Sequence, residues 1–91
     1  MKKDMDKRSY PVLLPFELKG NTLLVIIDIP RSTKVSLEIL DMEYKSINSL
    51  IDSEQEPGEV KCELNMAELP VNAIFIRLSS DGYQVVRRLE A

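Results

Sequence analysis

The sequence contains no histidine, no tryptophan, one cysteine and three glycines in 91 residues. The missing histidine removes the usual general base near neutral pH, the usual catalytic triad and nearly all zinc sites. A single cysteine excludes an intramolecular disulfide, and three scattered glycines form no phosphate-binding loop. We therefore predict a protein that is not an enzyme, with no catalytic residues, no metal and no cofactor.

Three groups of residues remain as candidates for chemistry, and each has a simpler interpretation. Cys62 alternates with Lys61 and Glu63, so we expect an inert thiol on the core-facing side of a strand. The sequence Ser79-Ser80-Asp81 has no neighbouring base and is typical of a hairpin turn. A set of acidic residues lacks the regular spacing that surrounds calcium, and a solvated loop is preferred; these are Asp52, Glu54, Glu56 and Glu59.

The charge balance and the lengths of the apolar runs exclude two further classes. Twelve basic and fifteen acidic residues give a net charge of -3, so no broad positive field gathers nucleic acid. Arg87 and Arg88 are adjacent in a predicted strand and point to opposite faces, one of them at the rim. No apolar run approaches the ~20 residues that span a bilayer. We predict no nucleic-acid partner and no membrane span.

The length and composition fit a single domain. Ninety-one residues with 44% hydrophobic content suit one core. Residues 1–9 contain too little apolar surface to offset the entropy of ordering, so we expect a mobile tail followed by one domain over residues 10–91. The charged start lacks the apolar stretch of a secretory signal. On this evidence the protein is cytoplasmic or its signal is absent from this form.

Two extended runs at residues 22–41 form the centre of the predicted fold. Leu23, Val25 and Ile27 share one face of the first run, and Val35 and the residues that alternate with it share one face of the second. We expect these faces to form a core between two sheets. The predicted buried residues are Leu23, Val25, Ile27, Val35, Leu37, Ile39, Val60, Cys62, Leu64, Ile74, Ile76 and Leu78.

The flanking segments indicate further short strands. Pro11 and Pro15 restrict residues 10–18 to an edge strand broken near Pro15, and Gly20-Asn21 predicts a hairpin into the first central strand. Residues 46–52 have apolar residues at helical spacing, but serine and asparagine are poor helix formers, so we favour a short irregular strand and leave a helical turn open.

Turn signals continue to the end of the chain. Residues 53–58 are predicted to be a polar loop, Asn65 to cap one helical turn and Asp81-Gly82 to turn the chain into a last strand. About seven strands with a turn signal every ~8–12 residues are typical of an all-β, antiparallel β-sandwich.

The order of these segments resembles known families. It is similar to the immunoglobulin-like modules of the flagellar hook-capping protein and to the C-terminal sorting domains of the Por secretion system. It resembles still more a family of small exported bacterial proteins of unknown function, through Arg8-Ser9-Tyr10-Pro11 and Gly20-Asn21-Thr22-Leu23. Tyr44 stands where these families usually have glycine. Asn72 replaces a second glycine, and we expect it to adopt the left-handed conformation there.

The resemblance implies an immunoglobulin-like fold and an exported, non-catalytic interaction or accessory role. A sorting or anchoring role and a carbohydrate- or cell-surface-binding role are the alternatives, although few aromatic residues disfavour a sugar platform. Leu24 and Ile26 are apolar on the predicted solvent face of a central strand. Either they form a possible interaction surface or the N-terminal segment covers them. The expected partner is a protein or cell-envelope component, or a second copy through a sheet edge.

Overall fold

The computed structural model describes residues 10–90, so the predicted mobile tail, residues 1–9, lies outside the described part of the chain. These residues form two antiparallel sheets packed into the predicted all-β sandwich. The strands are β1 (Val12–Leu13), β2 (Glu17–Lys19), β3 (Thr22–Ile29), β4 (Thr33–Leu40), β5 (Ser46–Gln55), β6 (Gly58–Asn65), β7 (Phe75–Ser80) and β8 (Tyr83–Arg88).

Sheet A is built around β3. Strand β6 pairs with the whole length of β3, from Thr22–Asn65 to Ile29–Gly58. On the other side, β1 pairs with the end of β3 and β2 with its beginning. Pro15 lies between β1 and β2, so these two strands are one edge strand interrupted at a proline, as predicted.

Sheet B has the strand order β5-β4-β7-β8. The register between β4 and β5 shifts twice, and Leu50 and Ile47 are the two residues without a partner in β4. Both pack against the core. Two β-bulges therefore explain the helical spacing at residues 46–52 and confirm an irregular strand. The predicted loop at residues 53–58 is wrong in extent, because β5 continues to Gln55 and only Glu56 and Pro57 separate it from β6.

One apolar core lies between the sheets, and nine of the twelve predicted core residues are buried in it. The prediction is wrong for Val60, Cys62 and Ile74, which are only half-buried. Val60 and Cys62 point inward from an edge strand that has a neighbour on one side only. Ile74 lies just outside β7. The buried apolar residues that the prediction omits are Pro11, Leu13, Ile29 and Leu40.

The turns confirm two predictions and correct a third. Gly20 adopts φ +61° between β2 and β3, and the Asn65 side chain accepts a hydrogen bond from the Ala67 amide at 3.0 Å to cap the 3₁₀ helix Met66–Glu68. Asn72, in contrast, is not among the residues with positive φ, whereas Tyr44 is, at +65°. No helix within residues 10–90 is long and apolar enough to cross a membrane.

Strained backbone at Tyr44 is held by its neighbours. The Asp41 carboxylate accepts hydrogen bonds from the amides of Glu43 and Lys45, both at 2.9 Å, and so fixes the turn around Tyr44. The Tyr44 ring also stacks on Phe75 with 4.7 Å between ring centroids. These contacts offset the cost of a left-handed conformation at a residue with a large side chain.

Candidate interaction surface

The outer face of sheet A carries apolar side chains in its centre. Along β3, Leu23, Val25 and Ile27 are fully buried, whereas Leu24 and Ile26 alternate with them and are half-buried. Because successive strand residues point to opposite faces, Leu24 and Ile26 lie on the outer side of the sheet. The structure therefore places both predicted interaction residues together, one above the other on the central strand of sheet A.

Strand register brings acidic residues around this apolar centre. Leu24 lies between Glu17 of β2 and Glu63 of β6, and four residues further along β3 Asp28 pairs with Glu59. Lys61 is the neighbour of Ile26. We call this surface the A face; it comprises Val12, Glu17, Lys19, Leu24, Ile26, Asp28, Glu59, Lys61 and Glu63.

The A face is thus apolar in the middle and mostly acidic at its margin. Val12 adds an apolar side chain that is 43% exposed. Four carboxylates share the face with the two ammonium groups of Lys19 and Lys61, and among residues 10–90 none of these six charged groups makes an ion pair with another side chain. The field of the face therefore favours a cationic partner.

The outer face of sheet B is different, because polar groups occupy its central strands. Ser36 pairs with Ser79, and Ser79 with Gln84, which gives one polar row across β4, β7 and β8. In the next row an Arg77 amino group donates a 2.6 Å hydrogen bond to the Glu38 carboxylate. This hydrogen bond holds the pKa of Glu38 below its ordinary value.

An open pocket lies over the polar row of sheet B. Its volume is about 640 Å³. The Lys34 ammonium at its margin is 3.7 Å from the Asp52 carboxylate, and both side chains are largely exposed. Its lining carries hydroxyl, amide, carboxylate and ammonium groups beside apolar surface and consists of Lys34, Ser36, Ser79, Ser80, Asp81, Gly82, Tyr83 and Gln84.

The two adjacent arginines have separate positions, as predicted. The Arg87 guanidinium lies at the rim between the sheets, where it donates hydrogen bonds to the carbonyl oxygens of Leu13 at 2.9 Å and Leu14 at 2.8 Å. It also lies 5.5 Å from the centroid of the Phe16 ring. Arg88 is exposed and has its Nε 3.8 Å from the Glu90 carboxylate. The pair therefore forms no joint basic patch.

Cys62 is half-buried on the inner side of β6 and packs against the core. Burial raises the pKa of its thiol, which keeps the thiol protonated at neutral pH. No group of three or more metal-ligating side chains is close enough within residues 10–90 to hold an ion. The predicted acidic segment therefore brings no such group together in this part of the chain.

Comparison with protein-family models, with curated proteins and with solved structures gave no match. Function is therefore inferred from the surfaces of the sandwich. The alternation of β3 alone identified Leu24 and Ile26. The acidic margin was missed because Glu17 and Glu63 are 46 residues apart and meet beside Leu24 only through the strand register.

Proposed function

We propose that this protein is a non-catalytic interaction module that binds a partner protein through the A face. The observation that carries the proposal is the position of Leu24 and Ile26, two large apolar side chains on the outer side of a central strand. Apolar groups surrounded by a charged margin are the usual anatomy of a recognition surface. No chemistry is assigned to the module.

The partner that fits the A face has an apolar centre and basic side chains at its periphery. The apolar centre would cover Leu24, Ile26 and Val12, and lysine or arginine side chains would lie opposite Glu17 and Glu63. Charges at the margin of an interface raise the association rate and exclude partners of the wrong sign. Binding should therefore weaken as the salt concentration rises.

An immunoglobulin-like classification is part of this proposal and has some support in the strand order. In sheet A the order β1/β2-β3-β6 resembles the A-B-E pairing of that architecture. In sheet B the strands β4-β7-β8 resemble its C-F-G pairing, with β5 added beside β4. An exported location rests on the family resemblance of the sequence. A sorting role has less support, because Arg87 is engaged in joining the two sheets.

The test replaces the two apolar side chains by cationic ones, with Leu24→Lys and Ile26→Lys combined. Both point outward, so the double variant should keep the far-ultraviolet circular dichroism spectrum and the cooperative unfolding of the wild type. Partner capture from the cell-envelope fraction, measured by quantitative mass spectrometry with equal amounts of immobilised bait, should be lost.

A matched control adds the same charge to the other sheet. Ser79→Lys with Gln84→Lys places two lysines on the outer face of sheet B and should leave capture unchanged. Proteins bound by the wild type and this control, and not by the A-face variant, are the specific partners. If the A-face variant unfolds, Leu24 and Ile26 belong to a core and the proposed surface does not exist.

A second candidate function, saccharide binding, is favoured by the pocket of sheet B. Its hydroxyl and amide groups match the hydrogen-bonding groups of a sugar. Tyr83, the aromatic residue of its lining, is already stacked on Tyr10 at 4.7 Å between ring centroids, which weakens it as a sugar platform. Glycan-array binding that is lost in Ser79→Lys with Gln84→Lys and kept in Leu24→Lys with Ile26→Lys would favour this function over the first.

A further inference from the structure

The two sheets have four edges, and three of them carry features that prevent strand addition. The β1/β2 edge is interrupted at Pro15, the β5 edge contains two bulges, and β8 is a six-residue strand whose Arg87 bonds to the opposite sheet. Such features protect a sheet edge from further pairing. Strand β6, in contrast, has eight residues, no proline and an uninterrupted register.

The free backbone groups of β6 can be identified from the hydrogen bonds of β3. The Leu14 amide donates to the Ile26 carbonyl at 2.9 Å, so the backbone of Ile26 points toward β1. Residues in antiparallel pairs alternate between bonded and non-bonded. Ile26 pairs with Lys61, and the amides and carbonyls of Glu59, Lys61 and Glu63 therefore point away from sheet A.

The side chains of these three residues alternate in charge and are exposed. This pattern is self-complementary when a second copy pairs antiparallel about a two-fold axis at Cys62. Lys61 then lies opposite the partner's Glu63, and Glu63 opposite the partner's Lys61. Opposite charges in directly facing positions stabilise a strand pair.

The neighbouring registers are less favourable. An axis at Lys61 would place two lysines opposite each other and would place Glu59 opposite the partner's Glu63. An axis at Val60 would shorten the overlap and place Glu63 opposite the partner's Pro57, which has no amide hydrogen to donate. The charge pattern and the position of Pro57 therefore select the axis at Cys62.

We infer that two copies of this protein associate through their β6 edges, which pair antiparallel and are centred on Cys62. The two copies of sheet A then form one continuous sheet of six strand positions, because each copy contributes β1/β2, β3 and β6. A two-fold axis perpendicular to the sheet puts both A faces on the same side. The two β3 strands are then three strand spacings apart, about 14 Å. The dimer presents two copies of the Leu24 and Ile26 surface side by side.

The test uses charge reversal and measures the dimer dissociation constant by sedimentation velocity from micromolar to millimolar concentration. Lys61→Glu and Glu63→Lys each convert two facing pairs from attraction to repulsion, and each should weaken the dimer by about tenfold or more. The combined substitution restores opposite charges in both pairs and should restore the wild-type constant. An equimolar mixture of the two single variants should form a heterodimer.

Matched controls reverse the same charges away from the edge. Glu17→Lys and Lys45→Glu lie outside β6 and should leave the dissociation constant unchanged. A wild-type protein that stays monomeric over the whole range overturns the inference. So does a dimer that responds equally to the edge variants and to the controls, because net charge and not register would then set its affinity.

Cys62 reports the register directly. In the inferred pair the two Cys62 residues face each other in a non-hydrogen-bonded position, with the Cα atoms about 4.5 Å apart, which is within the range of a disulfide. Diamide accepts two electrons and two protons from the two thiols as the sulfur–sulfur bond forms. It should give a covalent dimer on a non-reducing gel for the wild type, and none for Cys62→Ser or Lys61→Glu at the same concentration. A dimer that resists this cross-link has a different register and contradicts the inference.

Discussion

The two long sides of the sandwich are closed to different degrees. On the side of β1 and β8, which we call the closed side, Arg87 bonds to the Leu13 and Leu14 carbonyls and Tyr10 stacks on Tyr83. On the side of β5 and β6, the open side, the two strands belong to different sheets and no ladder joins them within residues 10–90. A short turn at Glu56 and Pro57 is the covalent connection there.

Burial varies along both sides. Leu13 on the closed side is only 3% exposed although its strand has two residues. Along the open side Leu64 is buried, but the other apolar residues that pack on the core are half-buried, although their strands have eight and ten residues; they are Ile47, Leu50, Ile51, Val60 and Cys62. Strand length alone therefore does not decide burial, since the six-residue β8 on the closed side has no buried residue.

The largest loss of stability is expected for Leu37, which lies in the centre of the core between the closed side and the open side. Leu37 is fully buried between the sheets, and Leu37→Ala should lower the free energy of unfolding by about 2–5 kcal/mol because it leaves a cavity. Leu50→Ala, at a half-buried bulge on the open side, should cost about 1 kcal/mol. Urea denaturation of both variants measures the difference. A cost below about 1 kcal/mol for Leu37→Ala would show that this strand faces outward.

The next effect concerns the link on the closed side. Arg87→Ala removes two charge-assisted hydrogen bonds and leaves two backbone carbonyls without these donors, so we expect a loss of about 2–3 kcal/mol. Arg88→Ala, one residue further along and exposed, is the matched control and should change stability by less than about 0.5 kcal/mol. Equal losses in the two variants would mean that Arg87 does not join the sheets.

The smallest expected effect is on the rate at which Cys62, on the open side, reacts with a thiol reagent. Cys62 should react with a thiol reagent more slowly in the native protein than in urea, because it is half-buried and its pKa is raised by burial. The raised pKa keeps the thiol protonated to a higher pH, so the native labelling rate should begin to rise at a higher pH than the rate of the unfolded chain. Native labelling at the unfolded rate would show that the thiol is not protected by the fold.

The sequence allowed us to predict which residues of a long strand point into the core and which point outward. It did not allow us to predict which strands lie at the edges of the two sheets. Alternation with a period of two identifies Leu23 and Leu24 as inward and outward within a single strand. Whether Cys62 is covered depends on which strands lie at an edge, and strand order is not encoded in local periodicity. The bulges at Ile47 and Leu50 gave a helical spacing because each inserts one residue into the alternation.

The candidate surface was predictable to the same extent. Leu24 and Ile26 follow from alternation, whereas their acidic neighbours depend on register between distant strands. The role of Arg87 could not be derived at all, because its acceptors are backbone carbonyls, which every residue carries, and they lie 73 and 74 positions away in the chain.

The link made by Arg87 also has a mechanical consequence. It ties the first strand of the described chain to the last one, across the gap between two sheets that otherwise share only side-chain packing at this position. Tension applied to the module through β1 and β8 would therefore load these two hydrogen bonds before it loads the longer ladders of β3 and β4. We therefore expect the resistance of the module to such pulling to depend on the Arg87 hydrogen bonds of the closed side more than on the β5 and β6 strands of the open side.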